Sequence, residues 1–279
     1  MPRPDNKHLI GFSLRDTLQR FAHFPLKSTK DRLRFLLVTI DVQTGDAITF
    51  DSYSDKAEYH GDTNCFIPCS NGIELEHVLA SGTFPDFFDY PEFEVKTQSS
   101  KKEKRIFWDG GYRSNTPLRE LIQAHTDYWR DKSQYGIPDL EVYIADLWPS
   151  DLKEKPASFD HDFVQDRKFD IIFGDRTDYD EKVANIVSDY VDLAKQLRAS
   201  EHEINHILDK NARSKSRPGH KQRKYVNLLD DRFRLIKVVR IDHKDKGDEV
   251  ADKVFDYSNN TIEKLLKDGY RDTLTQMAA

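Results

Sequence analysis

The first part of the chain passes from a helical to a strand-like spacing of apolar residues. Apolar positions at helical spacing follow Ser13 and predict a first helix with that serine as its N-cap. The apolar, β-branched run 33–42 predicts a strand buried on both faces. Residues 47–50 predict a second strand after a turn at Gly45, and the polar residues 53–72 predict a loop.

The middle of the chain alternates between predicted helices and strands. Residues 73–79 predict a short helix and residues 105–108 a strand. A longer helix is predicted after Pro117, because apolar and aromatic residues fall on one of its faces, namely Leu118, Leu121, Ile122, His125 and Trp129. Residues 140–145 and 170–173 are two further predicted strands.

The last third of the chain is mainly helical in its pattern. Residues 178–208 predict one or two long helices with a buried stripe made of Val183, Ile186, Val187, Tyr190, Val191, Ala194 and Leu197. Residues 234–241 predict a strand, and a closing helix is expected to bury Ile262, Leu265, Leu266 and Leu274. Alternating strands and helices predict an α/β fold, with a central, mostly parallel sheet flanked by helices, and no internal repeat is visible.

Composition narrows the classes of function that the chain can serve. The 279 residues carry 43 basic and 49 acidic side chains, a net charge of -6 that predicts no nucleic-acid partner. No apolar run approaches the roughly 20 residues of a membrane span, and the polar start lacks the apolar core of a signal peptide. We therefore expect a cytoplasmic protein. Cys65 and Cys69 have no second cysteine pair to complete a zinc site, so we expect reduced thiols.

Two linked motifs carry the chemistry of the sequence. One is Phe-Trp-Asp-Gly-Gly-Tyr-Arg-Ser-Asn-Thr-Pro-Leu at residues 107–118, and the other is Ala-Ser-Gly-Thr-Phe-Pro-Asp-Phe-Phe at residues 80–88. Together they resemble the patatin-like phospholipase family, which ends its catalytic region with such an Asp-Gly-Gly turn. Residues 36–50 and the closing segment 255–270 are also similar to that family, so the resemblance extends over nearly the whole chain.

The resemblance implies a role for each residue of the turn. Asp109 corresponds to the carboxylate of a Ser–Asp dyad, with Gly110 and Gly111 supporting its position. Two glycines would let the backbone turn away at φ values that side chains forbid. The implied reaction is hydrolysis of a phospholipid or other acyl ester without a metal or organic cofactor, with transient contact to a membrane surface. The implied architecture is a patatin-like α/β/α sandwich, residues 1–130, with an α/β extension at 131–279.

The sequence departs from the family where the nucleophile is expected. No Gly-x-Ser-x-Gly elbow or glycine-rich oxyanion loop occurs, and the nearest approach, Gly-Phe-Ser-Leu-Arg at residues 11–15, has arginine where the second glycine belongs. We therefore expect a fragment that lacks its N-terminal segment, inactive alone, with the strand at 36–40 left as an open edge. The alternatives are a non-catalytic remnant and a subunit whose partner chain supplies the serine.

Other residues suggest competing chemistry. His202-Glu203-Ile204-Asn205-His206 fits the zinc-peptidase pattern, but the chain lacks a suitable third ligand nearby, and two solvent-facing histidines explain it equally well. The basic tract 213–224 is interpreted as a solvated loop. Aromatic residues before the Asp-Gly-Gly turn fit either an acyl pocket or a core; they are Phe84, Phe87, Phe88, Tyr90 and Phe93.

Overall fold

The computed structural model of the chain describes residues 11–28, 33–53, 66–69, 71–84, 92–96, 102–129, 136–148, 161–198, 210, 225, 233–243 and 258–278. The fold of this part of the chain is mixed α/β. The chain divides into two compact units, residues 1–115 and 116–279. None of the described helices combines the length and the apolar character needed to cross a bilayer.

The first unit contains a five-stranded sheet and three helices among its described residues. In chain order the elements are α1 (Gly11–Phe21), β1 (Leu36–Asp41), β2 (Ala47–Asp51), β3 (Phe66–Pro68), α2 (Leu75–Ser81), β4 (Glu92–Lys96), β5 (Lys102–Asp109) and α3 (Gly111–Ser114). The strand order is β3-β2-β1-β5-β4. Because α1 begins at Gly11, Ser13 lies in the first turn of the helix and the N-cap prediction for it is wrong.

The sheet of the first unit is mostly antiparallel, in contrast to the mostly parallel sheet that the pattern predicts. β1 runs antiparallel to β2 and β5, β4 runs antiparallel to β5, and only β2 and β3 are parallel. Five residues connect β1 to β2, which is too few for the crossover that parallel neighbours require. The turn closes where the Gly45 N–H donates to the Asp41 carbonyl at 2.7 Å, with Gly45 at φ +73°.

The strand β1 is flanked by strands on both sides at Thr39 and Ile40, so the expectation of an open edge at residues 36–40 is wrong there, whereas residues 36–38 pair only with β2 among the described strands. β2 pairs with Leu36–Ile40, and β5 pairs with Thr39–Asp41 on the other side. The edge strands are instead β3 and β4. β3 lies in the predicted loop 53–72; it is three residues long and ends at Pro68, a residue that is compatible with an edge position.

The core of the first unit lies between the sheet and α2. Its buried residues are Ile48, Phe50, Cys69, Ile73, Ala80 and Phe107. The Phe50 ring centre is 5.5 Å from those of Phe93 and Phe107, and Phe93 stacks on Phe107 at 4.6 Å. α2 packs on β1 and β5, so the residues that follow α2 reach the end of β5.

The second unit is built around a parallel pair of strands. Its described elements are α4 (Leu118–Trp129), β6 (Leu140–Asp146), α5 (His161–Phe173), α6 (Asp178–Arg198), β7 (Leu235–Asp242) and α7 (Asn259–Met277). β6 and β7 pair in parallel from Leu140–Leu235 to Asp146–Asp242. Leu118, Val142, Ile144 and Leu235 form its core, with Leu121 and Ile122 packed against them, as the predicted face of α4 requires.

The predicted strand at residues 170–173 is wrong, because these residues end α5. Phe169 and Phe173 are four residues apart, and both rings contact Trp148, Phe169 stacked at 5.9 Å between centres and Phe173 tilted at 5.3 Å. A short apolar run has no period that separates a buried strand from a helix end. Because residues four apart lie on the same face of a helix, the spacing of the two phenylalanines favours the helix over the strand.

The predicted buried stripes of α6 and α7 are largely exposed. Of the predicted α6 residues only Val191 is buried, whereas Val183, Ile186, Val187, Tyr190 and Leu197 are each at least 37% exposed. In α7, Ile262, Leu266 and Leu274 are exposed. The periodicity correctly predicted the helices and their apolar faces, but the described parts of the fold do not cover those faces.

Candidate functional site

Asp109 is the last residue of β5, where the sheet passes into α3. It lies opposite Thr39 of β1 in the antiparallel register. Its backbone N–H donates to the Thr83 carbonyl at 2.9 Å. The strand end is thus fixed on one side by β1 and on the other by the segment that follows α2.

The Asp109 carboxylate is half-buried and turns back on its own chain. Its Oδ1 accepts a hydrogen bond from the Gly111 N–H at 2.7 Å. Burial raises the pKa of Asp109, and the bond from Gly111 offsets part of that effect. Among the residues that the structure describes, no Lys, Arg or His side chain pairs with Asp109 and no donor is bonded to its Oδ2.

Two other aspartates of the same sheet lie in different electrostatic surroundings. Asp51 accepts hydrogen bonds from Arg34 at both carboxylate oxygens, and Asp41 Oδ2 accepts one from Arg105 at 3.1 Å. Both aspartates are buried and each is paired with a cation. Asp109 differs from them because its described surroundings leave a carboxylate oxygen free to act on a proton.

Gly110 is required by a close backbone approach and not by a positive φ, which corrects the reason expected from the sequence. Its backbone is right-handed helical at φ −63° and ψ −25°. A Cβ at Gly110 would lie 2.3 Å from the Val38 carbonyl oxygen, a distance that no side chain tolerates. Gly111 is also outside the positive-φ region and serves by donating its N–H to Asp109.

The structure brings the two sequence motifs together. Thr83 is buried, donates its hydroxyl to the Leu79 carbonyl at 2.6 Å and accepts the Asp109 N–H at its own carbonyl. The next residue, Phe84, meets the Tyr112 ring edge-on at 5.7 Å between centres. An aromatic pair therefore stands directly beside the Asp109 turn.

Two members of the aromatic group predicted to be either pocket or core, Phe84 and Phe93, are among the described residues. Phe93 belongs to the core, stacked on Phe107. Phe84 lies at the turn, against Tyr112. Phe87, Phe88 and Tyr90 lie outside the described residues.

Several other sequence candidates also lie outside the described residues. These are the zinc-peptidase pattern at 202–206, the basic tract 213–224 and Cys65. Among the residues that are described, no three His, Cys, Asp or Glu side chains are placed to hold a metal ion.

Cys69 and His77 form a second pair that resembles a nucleophile and its base. Their Sγ and Nδ1 atoms are 3.8 Å apart. Burial, together with the Asp51 charge, raises the pKa of Cys69 to about 12, and burial lowers the pKa of His77. His77 Nδ1 already accepts the Glu74 N–H at 2.9 Å. At neutral pH the pair is therefore a thiol beside a neutral imidazole, which is unreactive.

Sequence analysis missed a polar cluster at the carboxyl edge of β6 and β7. The strands end at Asp146 and Asp242, and the His243 N–H donates to the Asp146 carbonyl at 2.8 Å. Asp146 is 1% exposed; burial raises its pKa, while the Trp148 and Asp175 N–H groups bond its carboxylate. The sequence did contain a signal for this cluster. Asp146 and Asp242 each follow directly after a predicted strand, the position at which α/β sheets place functional polar groups.

An arginine neutralises the rest of this cluster. Arg240 Nε bonds Asp175 Oδ2 at 2.8 Å, and its other nitrogens reach Asp178 and Glu181 at 3.1 and 2.6 Å. Burial raises the pKa of Asp175, but hydrogen bonds from Thr116, Arg240 and Thr177 outweigh burial, so the pKa lies below its ordinary value. The cluster joins the start of α6 to β7, and we assign it a structural role.

Comparison of the chain with models of protein families, with curated proteins and with solved structures gives no match. The resemblance to patatin-like phospholipases therefore rests on the motifs at residues 80–88 and 107–118 and on their surroundings. What the structure establishes by itself is a mixed α/β fold in which Asp109 is half-buried at a strand-to-helix turn and pairs with no cation among the described residues.

Proposed function

We propose that this chain supplies the aspartate of a Ser–Asp dyad in a patatin-like lipid acyl hydrolase. The serine and the oxyanion loop would come from a polypeptide segment that these 279 residues do not contain. That segment is either joined to this chain or carried by a partner. The chain alone is then inactive as an esterase.

The observation that carries the proposal is the contrast among the three aspartates of the sheet. Asp41 and Asp51 are held by arginines, whereas Asp109, in the motif that resembles the family, has no described cation and a raised pKa. A carboxylate with a raised pKa is a better proton acceptor at neutral pH than an ordinary one. The position of Asp109, its raised pKa and its sequence motif therefore all support it as the general base.

In the proposed reaction Asp109 acts through the oxygen that Gly111 does not bind. Oδ2 accepts the proton of the serine hydroxyl as the serine oxygen attacks the ester carbonyl, and the alcohol leaves with that proton. Water then attacks the acyl-serine; Asp109 takes one proton of that water and returns it to the serine oxygen as the acyl–serine bond breaks and the carboxylic acid is released. The Gly111 N–H fixes Oδ1, so the carboxylate keeps one orientation through both steps.

The aromatic pair beside the turn supports an apolar acyl group in the substrate. Phe84 and Tyr112 are both partly exposed and flank the turn that carries Asp109. Apolar walls with few polar groups are typical of sites that bind lipid chains. We propose that the acyl chain of the substrate lies along this pair, with Phe87 and Phe88 as further lining.

The test begins with the neighbouring coding sequence. We expect an in-frame or adjacent segment with a glycine-rich loop and a Gly-x-Ser-x-Gly elbow. Joined to this chain, or co-expressed with it, the segment should be labelled by a serine-directed fluorophosphonate and should hydrolyse p-nitrophenyl acyl esters. Asp109→Asn should lower that rate by roughly 10²–10⁴-fold.

A matched control separates catalysis from general charge effects. Asp46→Asn removes an exposed carboxylate from the β1–β2 turn of the same sheet and should leave the rate within about twofold. Full activity in Asp109→Asn would remove the aspartate from the mechanism. If no such segment exists and the chain binds no serine-bearing partner, the chain is a non-catalytic remnant and the hydrolase proposal is rejected.

A further inference from the structure

The exposed face of α6 carries a regular apolar seam. Its members are separated alternately by four and three residues, and each is between 40% and 72% exposed; they are Tyr179, Val183, Ile186, Tyr190, Leu193 and Leu197. This is the a/d spacing of a coiled coil, kept over nearly three heptads. Six large apolar side chains in one line on a surface indicate a binding face.

The polar residues of α6 argue against a lipid surface as the occupant. The helix contains five acidic residues, Asp178, Asp180, Glu181, Asp189 and Asp192, against three basic ones, Lys182, Lys195 and Arg198. Helices that lie on anionic membranes have the opposite excess, with lysine and arginine beside their apolar face. The seam therefore fits a protein helix better than a bilayer.

A second copy of α6 fits the seam in the antiparallel direction. In antiparallel coiled coils each a residue packs against a d residue of the partner helix. Aligning the two copies about Ser188 places Tyr179 opposite Leu197, Val183 opposite Leu193 and Ile186 opposite Tyr190. Each of these three pairs combines a larger with a smaller side chain or an aromatic with an aliphatic one. The twofold axis of the dimer repeats every pair, so the interface contains six such layers.

The helix dipoles also favour this direction. Antiparallel pairing opposes the two dipoles, whereas parallel pairing would align them. The acidic side chains of the first turn do not contribute, because Arg240 already pairs with Asp178 and Glu181, and Arg119 pairs with Asp180. In two copies the six side chains offer on the order of 900 Å² of surface, close to the ~1,000 Å² of a specific interface.

We propose that the chain forms a homodimer through antiparallel pairing of α6. This inference does not depend on the proposed hydrolase function, because Asp109 belongs to the first unit and α6 to the second. Sedimentation equilibrium of the full chain should give twice the 32.6 kDa monomer mass at micromolar concentration.

Ile186→Glu should weaken the dimer at least tenfold, because it places a charge in a central layer. Ile186 is 58% exposed in the single chain, so the substitution leaves the fold intact, as circular dichroism should verify. Asn185→Glu adds the same charge at the next, exposed position outside the seam and should sediment as wild type. A monomeric wild type, a dimeric Ile186→Glu or equal effects of both substitutions would each overturn the proposal.

Cross-linking tests the direction of pairing. In a Cys65→Ser background, Tyr179→Cys mixed with Leu197→Cys should form an intermolecular disulfide on oxidation, and neither variant should do so alone. Self-cross-linking of Tyr179→Cys would establish a parallel arrangement and contradict the proposed one. Binding of a monomeric wild type to phosphatidylserine vesicles would assign the seam to lipid instead.

Discussion

The fold disfavours the ionised form of the Asp109 carboxylate. Burial raises its pKa, so the folded chain binds a proton at this carboxylate more readily than the unfolded chain does. Above that pKa the buried charge subtracts from stability, which is the usual cost of a poised functional group.

Asp109→Asn should therefore stabilise the fold at pH 8, by about 0.5–1 kcal/mol. The gain should shrink as the pH falls through the folded pKa of Asp109, because wild type is then protonated and neutral as well. Urea denaturation over a pH series from 8 to below the unfolded aspartate pKa of roughly 3.9 measures both effects. A variant that is less stable at pH 8 would mean that a partner of the carboxylate has been lost.

Gly110 is a residue whose replacement tests the close approach of α3 to β1. Gly110→Ala should cost about 2–4 kcal/mol of folding free energy, because its Cβ would lie 2.3 Å from the Val38 carbonyl oxygen. Gly82→Ala is the matched control, since no atom lies within 4 Å of its added Cβ, and should change stability by less than about 0.5 kcal/mol. Equal effects of the two in urea denaturation would contradict the approach.

Cys69 should be chemically silent in the folded chain. With a pKa of about 12 instead of 9.0, its thiolate fraction at pH 8 falls by about three orders of magnitude. In a Cys65→Ser background, reaction with 5,5′-dithiobis(2-nitrobenzoate) should be slow in buffer and rapid in 8 M urea. Rapid labelling in buffer would show that His77 activates the thiol.

At the scale of elements, the parallel strands of the second unit depend on an ionic network at their carboxyl edge. Arg240 of β7 holds Asp175 ahead of α6 and Glu181 in its first turn. Thr116 and Thr177 also donate hydrogen bonds to Asp175, but Arg240 is its one cationic partner among the described residues. Helix and strand are therefore joined by one residue.

Arg240→Met should cost about 2–4 kcal/mol at pH 7, because it leaves buried carboxylates without a cation. Lys237→Met, an exposed lysine of the same strand, should have little effect. Because the pKa of Asp175 is depressed, its stabilisation exists above the unfolded pKa and is lost as the pH falls through the folded one. The difference between Arg240→Met and wild type in thermal unfolding should therefore decrease below about pH 4.

The whole molecule combines a modest net charge with exposed apolar helix faces. The net charge is -6 at pH 7, and the isoelectric point is about 5.9. Exposed faces on α6 and α7 attract other apolar surfaces, and net charge is the main force that opposes unspecific association.

Light scattering should consequently show the strongest association near pH 5.9 and a decline towards pH 8. Ile186→Glu should reduce scattering at every pH, since it both adds charge and interrupts the α6 seam. Scattering that rises steadily to pH 8 would show that charge does not control association in this chain.

Local pattern alone determined most elements and the central candidate residue. The helices α1, α2, α4, α6 and α7 and the strands β1, β2, β5, β6 and β7 all lie where periodicity places them, because side-chain spacing reports which face is apolar. β4 was missed although Phe93 and Val95 alternate with charged residues, a strand signal hidden by the neighbouring aromatic group. Asp109 could be selected from the sequence because its motif is a contiguous segment, residues 107–118.

Tertiary structure decided what depends on partners distant in sequence. No local pattern connects the residues that set the strand directions, and none connects Gly110 with Val38 or Asp146 with Asp242. The sequence also does not show that Asp109, unlike Asp41 and Asp51, has no cation among its described neighbours. The same holds for α6, where periodicity predicts an apolar face but only packing shows that it stays exposed. Sequence spacing determines which side chains share a face, and only the folded chain determines what that face meets.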